Sequence, residues 1–267
     1  MSSDDLESRL ERLEIRQELL RDFAVRGVWN ALERLYARTG VRSNVSCLAC
    51  GETRKVEAFA RRVDRCMFGG GRLERLECPA CGCVFGPLAA LEADADWIAS
   101  DYRLLYAAYS EGDSTEAEIR TFEALRPDRA GVYLNWGAGA WSDSVAQLRA
   151  RGYDVWGYEP NAAAPRDFIV GSREEVSARF DGVFSNNVIE HFIDPAGQFA
   201  DLRTLLKPGG RMAHASPCFE WSYAFTRFHV FFPLARSAEA LAHRTGFDLT
   251  DRIEDGEYQA RVFQVGD

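Results

Sequence analysis

Along residues 131–267 short apolar runs alternate with longer amphipathic stretches. Runs of a few residues rich in β-branched and aromatic side chains read as buried strands. Stretches with apolar positions three and four apart read as helices. Strands are predicted at 132–136, 153–158, 167–170, 181–186, 210–216, 246–253 and 257–264, and helices at 141–151, 194–206 and 236–245. This alternation implies an α/β fold with a mostly parallel sheet covered on both faces. Only the turn Asp255-Gly256 separates the last two strands, so they form a hairpin and bring an antiparallel strand into the sheet.

The first half has a different pattern. Residues 4–38 read as one long helix, with Ser3 as N-cap, Asp4 and Asp5 in the first turn and Gly40 ending it. Leu6, Leu10, Leu13 and Leu20 follow a/d heptad spacing, with Gln17 and Ala24 at intervening seam positions. Such a helix either packs on its own domain or forms a short coiled coil that makes the chain a homodimer. Residues 91–129 read as a helical linker in which Tyr102 and Tyr106, four apart, share a face, with Tyr109 close by. Core packing and a lid over a bound ligand both explain that pair. The chain thus divides into a helix at 1–40, a small module at 41–90, the linker at 91–130 and the sheet domain at 131–267.

A chain of 267 residues has room for one large core and a small module. The formal net charge of -9 disfavours bulk nucleic acid as a partner, because that affinity rests on phosphate neutralisation. No run approaches the roughly 20 apolar residues of a membrane span. The acidic start has no apolar targeting core, so a cytoplasmic protein is expected. In a reducing compartment seven cysteines point to metal ligands or buried thiols. Two C-x2-C knuckles, Cys47/Cys50 and Cys78/Cys81, flank a hairpin-sized insert with a Gly69-Gly70-Gly71 turn. Each knuckle supplies two adjacent corners of a tetrahedron, which predicts a closed, structural zinc ribbon. Cys66, Cys83 and Cys218 are expected to be buried thiols.

The run V-Y-L-N-W-G-A-G over 132–139 is a strand entering a glycine turn, where Gly137 and Gly139 let a ligand approach the backbone. Glu159 ends the next strand, about 20 residues on, where a carboxylate accepts ribose hydroxyls. The unit is suited to an adenosine-type ligand.

Here the chain resembles class I S-adenosylmethionine-dependent methyltransferases over 131–267. L-N-W-G-A-G is similar to their D-x-G-x-G motif, Glu159 to their ribose acid, F-D-G-V-F-S-N-N-V-I-E-H-F to their fourth-strand motif, and L-K-P-G-G-R-M to the turn into strand five. The resemblance implies a seven-stranded Rossmann-like sheet with a terminal hairpin, and S-adenosyl-L-methionine as cofactor. It implies cofactor contacts from Asn135, Trp136, Gly137, Ala138, Gly139, Glu159, Pro160, Asn186 and Asn187, with Tyr102 and Tyr106 as lid residues. Two positions depart: Asn135 stands for the usual acid and carries no charge, and Trp141 for the usual third glycine.

The order of ribbon, tyrosine-rich helix and sheet resembles bacterial sugar-modifying methyltransferases of deoxysugar, capsule and O-antigen pathways. There the ribbon ends much as Cys78 to Pro87 do here. F-H-V-F-F-P resembles a late segment whose histidine, matching His229, is associated with base catalysis in sugar C-methyltransferases. Those enzymes carry a further C-terminal domain that this sequence does not match. The expectation is therefore O-methylation of a sugar hydroxyl on a nucleotide sugar or surface glycan. Two other readings stay open: an RNA base methyltransferase that grips its substrate through the ribbon, and a non-catalytic scaffold.

His229 is the first candidate for general base and His191 the reserve, both at the carboxyl edge of the sheet. His214 is expected in the core and His243 in solvent. The aromatic run 219–232 suits either a substrate cover or core packing.

Overall fold

The computed structural model describes residues 3–39, 42–69, 71–106, 112–139, 142–160, 166–177, 179–223 and 226–266. Helix α1 (Ser3–Thr39) is continuous and about 55 Å long at 1.5 Å per residue. Gly40, expected to end it, lies outside the described residues. Its second half is docked: Val25 and Trp29 are buried, and Leu32 packs beside Trp29 against Cys66, Leu73 and Val230. Its first half is not, since Leu6, Leu10, Leu13, Leu20 and Phe23 are exposed. The leucine stripe and the docking face are therefore different faces of one helix.

The small module begins with β1 (Asn44–Ser46) and β2 (Thr53–Lys55), an antiparallel pair. A hairpin of β3 (Ala60–Arg65) and β4 (Arg72–Glu77) follows, then β5 (Val84–Phe85). The helical linker holds α3 (Ala95–Tyr106) and α4 (Thr115–Ala124), preceded by the short α2 (Leu88–Leu91). Asp113 accepts from the Thr115 amide at 2.9 Å, a local bond that starts α4 afresh.

The large domain runs β6 (Val132–Trp136), α5 (Ser144–Ala150), β7 (Asp154–Tyr158), β8 (Ile169–Val170), β9 (Phe180–Asn186), α6 (Pro195–Leu205), β10 (Leu206–Ala215), β11 (Phe231–Phe232), α7 (Ser237–Thr245), β12 (Phe247–Asp255) and β13 (Tyr258–Val265). Seven of these strands form one sheet in the order β12-β13-β10-β9-β6-β7-β8, with β13 antiparallel to both neighbours. This is the predicted Rossmann-like sheet with its terminal hairpin. β10 begins at Leu206, earlier than predicted, because a register shift between Leu206 and Arg211 keeps it paired with β9 through the turn.

β11 was not foreseen. Its two residues pair with β5, so the small module's sheet reads β11-β5-β4-β3. One apolar cluster runs from Phe59, Leu76 and Phe85 of the module to Phe199, Leu241 and Phe247 of the large domain. Each such side chain adds roughly 1.5–3 kcal/mol by leaving water. Module and sheet therefore share a core. No described helix is long and apolar enough to cross a membrane.

Candidate active site and cysteine cluster

Beyond the buried strand β6 the chain turns on Gly137, at φ +80°, and Gly139, at φ +60°. A Cβ at 137 would stand 2.6 Å from Val188 Cγ2, so both conformation and space demand glycine there. The amides of Gly137 and Ala138 donate to Tyr158 O at 2.9 and 3.0 Å, which ties the turn to the end of β7. The Gly139 amide donates to Glu159 Oε2 at 3.0 Å. Arg166 braces the far side, donating to Gly139 O at 2.7 Å and Ser142 O at 2.5 Å.

At the carboxyl ends of β6, β7 and β9 lies a cavity of about 840 Å³. It brings together Trp136, Gly137, Gly139, Glu159, Pro160, Asn186, Asn187, Tyr102 and His191 from the residues singled out in the sequence. Ala138 is buried beneath the turn and Asn135 inside the sheet. Tyr106 ends α3, but its side chain lies outside the description, as do Tyr109, Trp141 and Phe225.

The opposite wall was read from sequence only in part, through Tyr102 as a lid residue and Phe228 within the aromatic run. It is built by Trp29 of α1, Trp97, Asp101 and Tyr102 of α3, and Arg227 and Phe228 from the loop before β11. Arg227 and Asp101 form an ion pair at 2.6 Å with both side chains 1% exposed. Arg227 also lies over the Trp29 ring, 5.1 Å from its centroid. Burial pushes the Asp101 carboxyl up, and the guanidinium opposes that shift. A separation of 126 residues leaves no spacing signal for such a pair.

Glu118 of α4 was also missed. It is buried at the cavity wall and accepts from Asn135 Nδ2, Ser142 Oγ and Ser144 Oγ at 2.6, 2.8 and 2.5 Å, and from Ser114 Oγ at 2.7 Å.

The two candidate bases differ in where they lie relative to the cavity. His191 lines the cavity, and its Nδ1 donates to Phe228 O at 3.0 Å, leaving Nε2 as the acceptor nitrogen. His229 is not among the described residues lining the cavity; its ring stacks edge-on behind His191, centroids 5.2 Å apart. Its Nδ1 donates to Tyr223 O at 3.0 Å. The sequence places both imidazoles on the same sheet edge, and only packing decides which one faces in. Burial lowers His191 to about 4. Burial, with His191 beside it, lowers His229 to about 3. His214 is the expected core residue, bonded through Nδ1 to Ser185 Oγ at 2.7 Å and lowered by burial to about 3. His243 is exposed.

The thiols of Cys47, Cys50, Cys78 and Cys81 converge, all Sγ atoms lying within 4.8 Å of one another. Cys47 and Cys81 are 3.6 Å apart, Cys50 and Cys78 3.8 Å. A tetrahedron with metal–sulfur arms of about 2.3 Å has edges of about 3.8 Å, so the set fits a tetrahedral, thiolate-bound ion. Each knuckle turns through the same bond, Gly51 N to Cys47 O at 3.0 Å and Gly82 N to Cys78 O at 2.9 Å. Cys66, Cys83 and Cys218 are buried and outside this set of four, with Cys83 lying beside Cys47.

The model of the methyltransferase domain family matches residues 117–251. No curated protein matches the chain. Among solved structures it is similar to the 1,6-didemethyltoxoflavin-N1-methyltransferase of Burkholderia thailandensis with bound 1,6-didemethyltoxoflavin and S-adenosylhomocysteine. That likeness has 18% identity over 73% of this chain and 96% of that one, with a TM-score of 0.48. It is also similar to a glycopeptide N-methyltransferase complexed with S-adenosylhomocysteine, at 17% identity over 61% and 96% of the chains and a TM-score of 0.43. A mitomycin 7-O-methyltransferase follows at 13% identity over 65% and 59%, with a TM-score of 0.44.

The three imidazoles with lowered pKa, His214 wholly buried and His191 and His229 partly so, set a pH dependence. In the unfolded chain each takes a proton as pH falls through about 6.5. In the folded protein His191 does so only near 4, and His214 and His229 only near 3. Their contribution to stability is whole above pH 6.5 and is lost as pH falls toward those folded values. The slope approaches about 1.4 kcal/mol per pH unit for each histidine. Urea unfolding at pH 7 and pH 5 should show a clearly lower unfolding free energy at pH 5. Equal values would contradict the lowered pKa of these imidazoles.

Proposed function

This chain belongs to the methyltransferase domain family and is an S-adenosylmethionine-dependent methyltransferase, and on that premise we propose that it O-methylates a sugar hydroxyl, on a nucleotide sugar or a glycan, with His191 as the proton acceptor. The observation that carries this reading is the make-up of the wall facing the glycine turn. Trp97 and Tyr102 are the partly exposed aromatic residues suited to the C–H surfaces of a sugar, backed by the buried Trp29 and Phe228, with Tyr102 and Phe228 held edge-to-face at 5.3 Å between centroids. Asp101 and Arg227, paired and almost wholly buried, hold this wall in place behind the rings.

When bound, S-adenosylmethionine supplies an activated methyl group, so the protein's tasks are alignment, exclusion of water and removal of one proton. Glu159, held by the Gly139 amide, is suited to the cofactor's ribose hydroxyls. Asn186 and Asn187 border the same lobe. His191 is neutral at physiological pH because burial holds its imidazole near 4, and its Nε2 lone pair can take the hydroxyl proton. His229 supports the His191 ring from behind.

The thiolate cluster is proposed to hold one structural Zn²⁺ through Cys47, Cys50, Cys78 and Cys81, with no open coordination position and no chemical step. The exposed leucine stripe of α1 supports a parallel homodimer. With Leu6, Leu13 and Leu20 at d and Leu10 at a, Arg9 occupies g and Glu14 e. A parallel pair sets Arg9 of each copy beside Glu14 of the other, while opposing Arg16 to Arg21. An antiparallel pair would set arginine against arginine and glutamate against glutamate.

Native mass spectrometry tests both proposals at once. The expected species is two chains with two zinc ions, and Leu13→Glu with Leu20→Glu should give a monomer with one. A chain without zinc, or a wild-type monomer at micromolar concentration, would overturn the respective part. The catalytic reading is tested with UDP-, GDP- and dTDP-linked sugars and methyl-labelled S-adenosylmethionine. Transfer to a sugar oxygen is expected, and His191→Ala should slow it by about 10²–10⁴-fold while cofactor affinity stays within a few fold. Full activity in His191→Ala would remove its role, and transfer to none of these sugars would count against the acceptor class.

A further inference from the structure

Asn135 leaves the glycine motif without its usual negative charge, yet the structure supplies a carboxylate beside it from another element. Glu118 Oε2 accepts from Asn135 Nδ2 at 2.6 Å. Glu118 is 3% exposed, lines the cavity and has no ion-pair partner among the described residues. Its four donors are an amide and three serine hydroxyls, all neutral. Burial pushes the Glu118 carboxyl up and these four bonds oppose that shift, so a cation is the partner the carboxylate lacks. A buried anion at a cavity wall favours a cation from the cavity, since Coulomb attraction is strong where water is excluded.

An ammonium group has three donors and no acceptor, and the Glu118 carboxylate at the cavity wall is an acceptor that matches it. Asn135, wholly buried in the sheet and absent from the lining, acts only by holding that carboxylate. α4 leads into β6 and thereby sets Glu118 against the strand residue at which the related enzymes carry their acid.

We propose that Glu118 recognises the α-ammonium of the cofactor's methionine moiety, the negative charge having been transposed from position 135 on the strand to position 118 on the preceding helix. Asn135 then orients the carboxylate, a role that aspartate could not fill, because two carboxylates 2.6 Å apart would repel. This inference rests on the cofactor reading above. It explains how the chain keeps charge recognition while breaking the motif. A purely structural Glu118 would instead affect all ligands alike.

The test is calorimetric binding of S-adenosylhomocysteine and of 5′-methylthioadenosine, which keeps the adenosine but lacks the amino acid. Glu118→Gln should weaken S-adenosylhomocysteine by about 10–100-fold and leave 5′-methylthioadenosine within about threefold. The double variant Glu118→Gln with Asn135→Asp returns the charge to the strand and should recover most of that loss. No loss in Glu118→Gln, or equal loss for both ligands, overturns the inference. Should Glu118→Gln fail to fold by circular dichroism, wild type is compared on S-adenosylhomocysteine and its deaminated analogue. Equal affinity overturns the inference, and a preference of tenfold or more for the amine supports it. A wild-type protein that binds neither adenosyl compound would overturn the cofactor reading instead.

Discussion

The guanidinium of Arg75 is the interaction on which the cavity wall built by residues 226–230 depends. It projects from β4 of the cysteine-bearing module and is wholly buried. It donates to Gly86 O at 3.1 Å, to Thr226 O at 2.7 Å and to His229 O at 3.0 Å, with the Phe232 ring 5.0 Å away. Burial lowers it to about 10, so it stays charged at neutral pH. A buried charge must find partners, and here they are backbone carbonyls at both ends of residues 226–229. The residues between and beside them are Arg227, Phe228 and His229. Arg227 pairs with Asp101, and Phe228 accepts the His191 Nδ1–H.

This bond explains why a small cysteine module belongs to the catalytic unit. The knuckles hold the module's strands, β5 pairs with β11, and Arg75 fixes the loop that precedes β11. The cofactor side of the cavity has a different origin. Its glycine turn, Glu159 and the two asparagines sit on the sheet, as the carboxyl edge of any such parallel sheet permits. The facing wall draws on α1, α3 and the loop before β11, which the module holds through Arg75. The sheet provides the general part of the chemistry, and the added elements provide what is particular to this chain.

What was legible in the sequence follows the same division. The strands, Gly137, Gly139 and Glu159 are local patterns, because turn and strand physics act over a few residues. The four cysteines were legible because metal geometry imposes short spacings. Glu118 and the Asp101–Arg227 pair carry no such signature, since their partners lie on distant elements. The helix offered two faces; the leucine spacing was visible, but only packing reveals that Val25 and Trp29 do the docking. The order of His191 and His229 is likewise set by tertiary packing, and β11 is too short to stand out in a pattern.

The dependence of this loop on Arg75 is tested most directly by amide hydrogen exchange in Arg75→Met. The reporters are Gly86, which donates to Val230 O at 2.9 Å, and Val230, which donates to Glu190 O at 2.9 Å. Loss of the guanidinium's bonds should speed exchange across 226–232 by about 10–100-fold, while the strands around the glycine turn and the affinity for S-adenosylhomocysteine remain near wild type. Unchanged exchange in that loop, or faster exchange spread evenly over the whole sheet, would contradict the account.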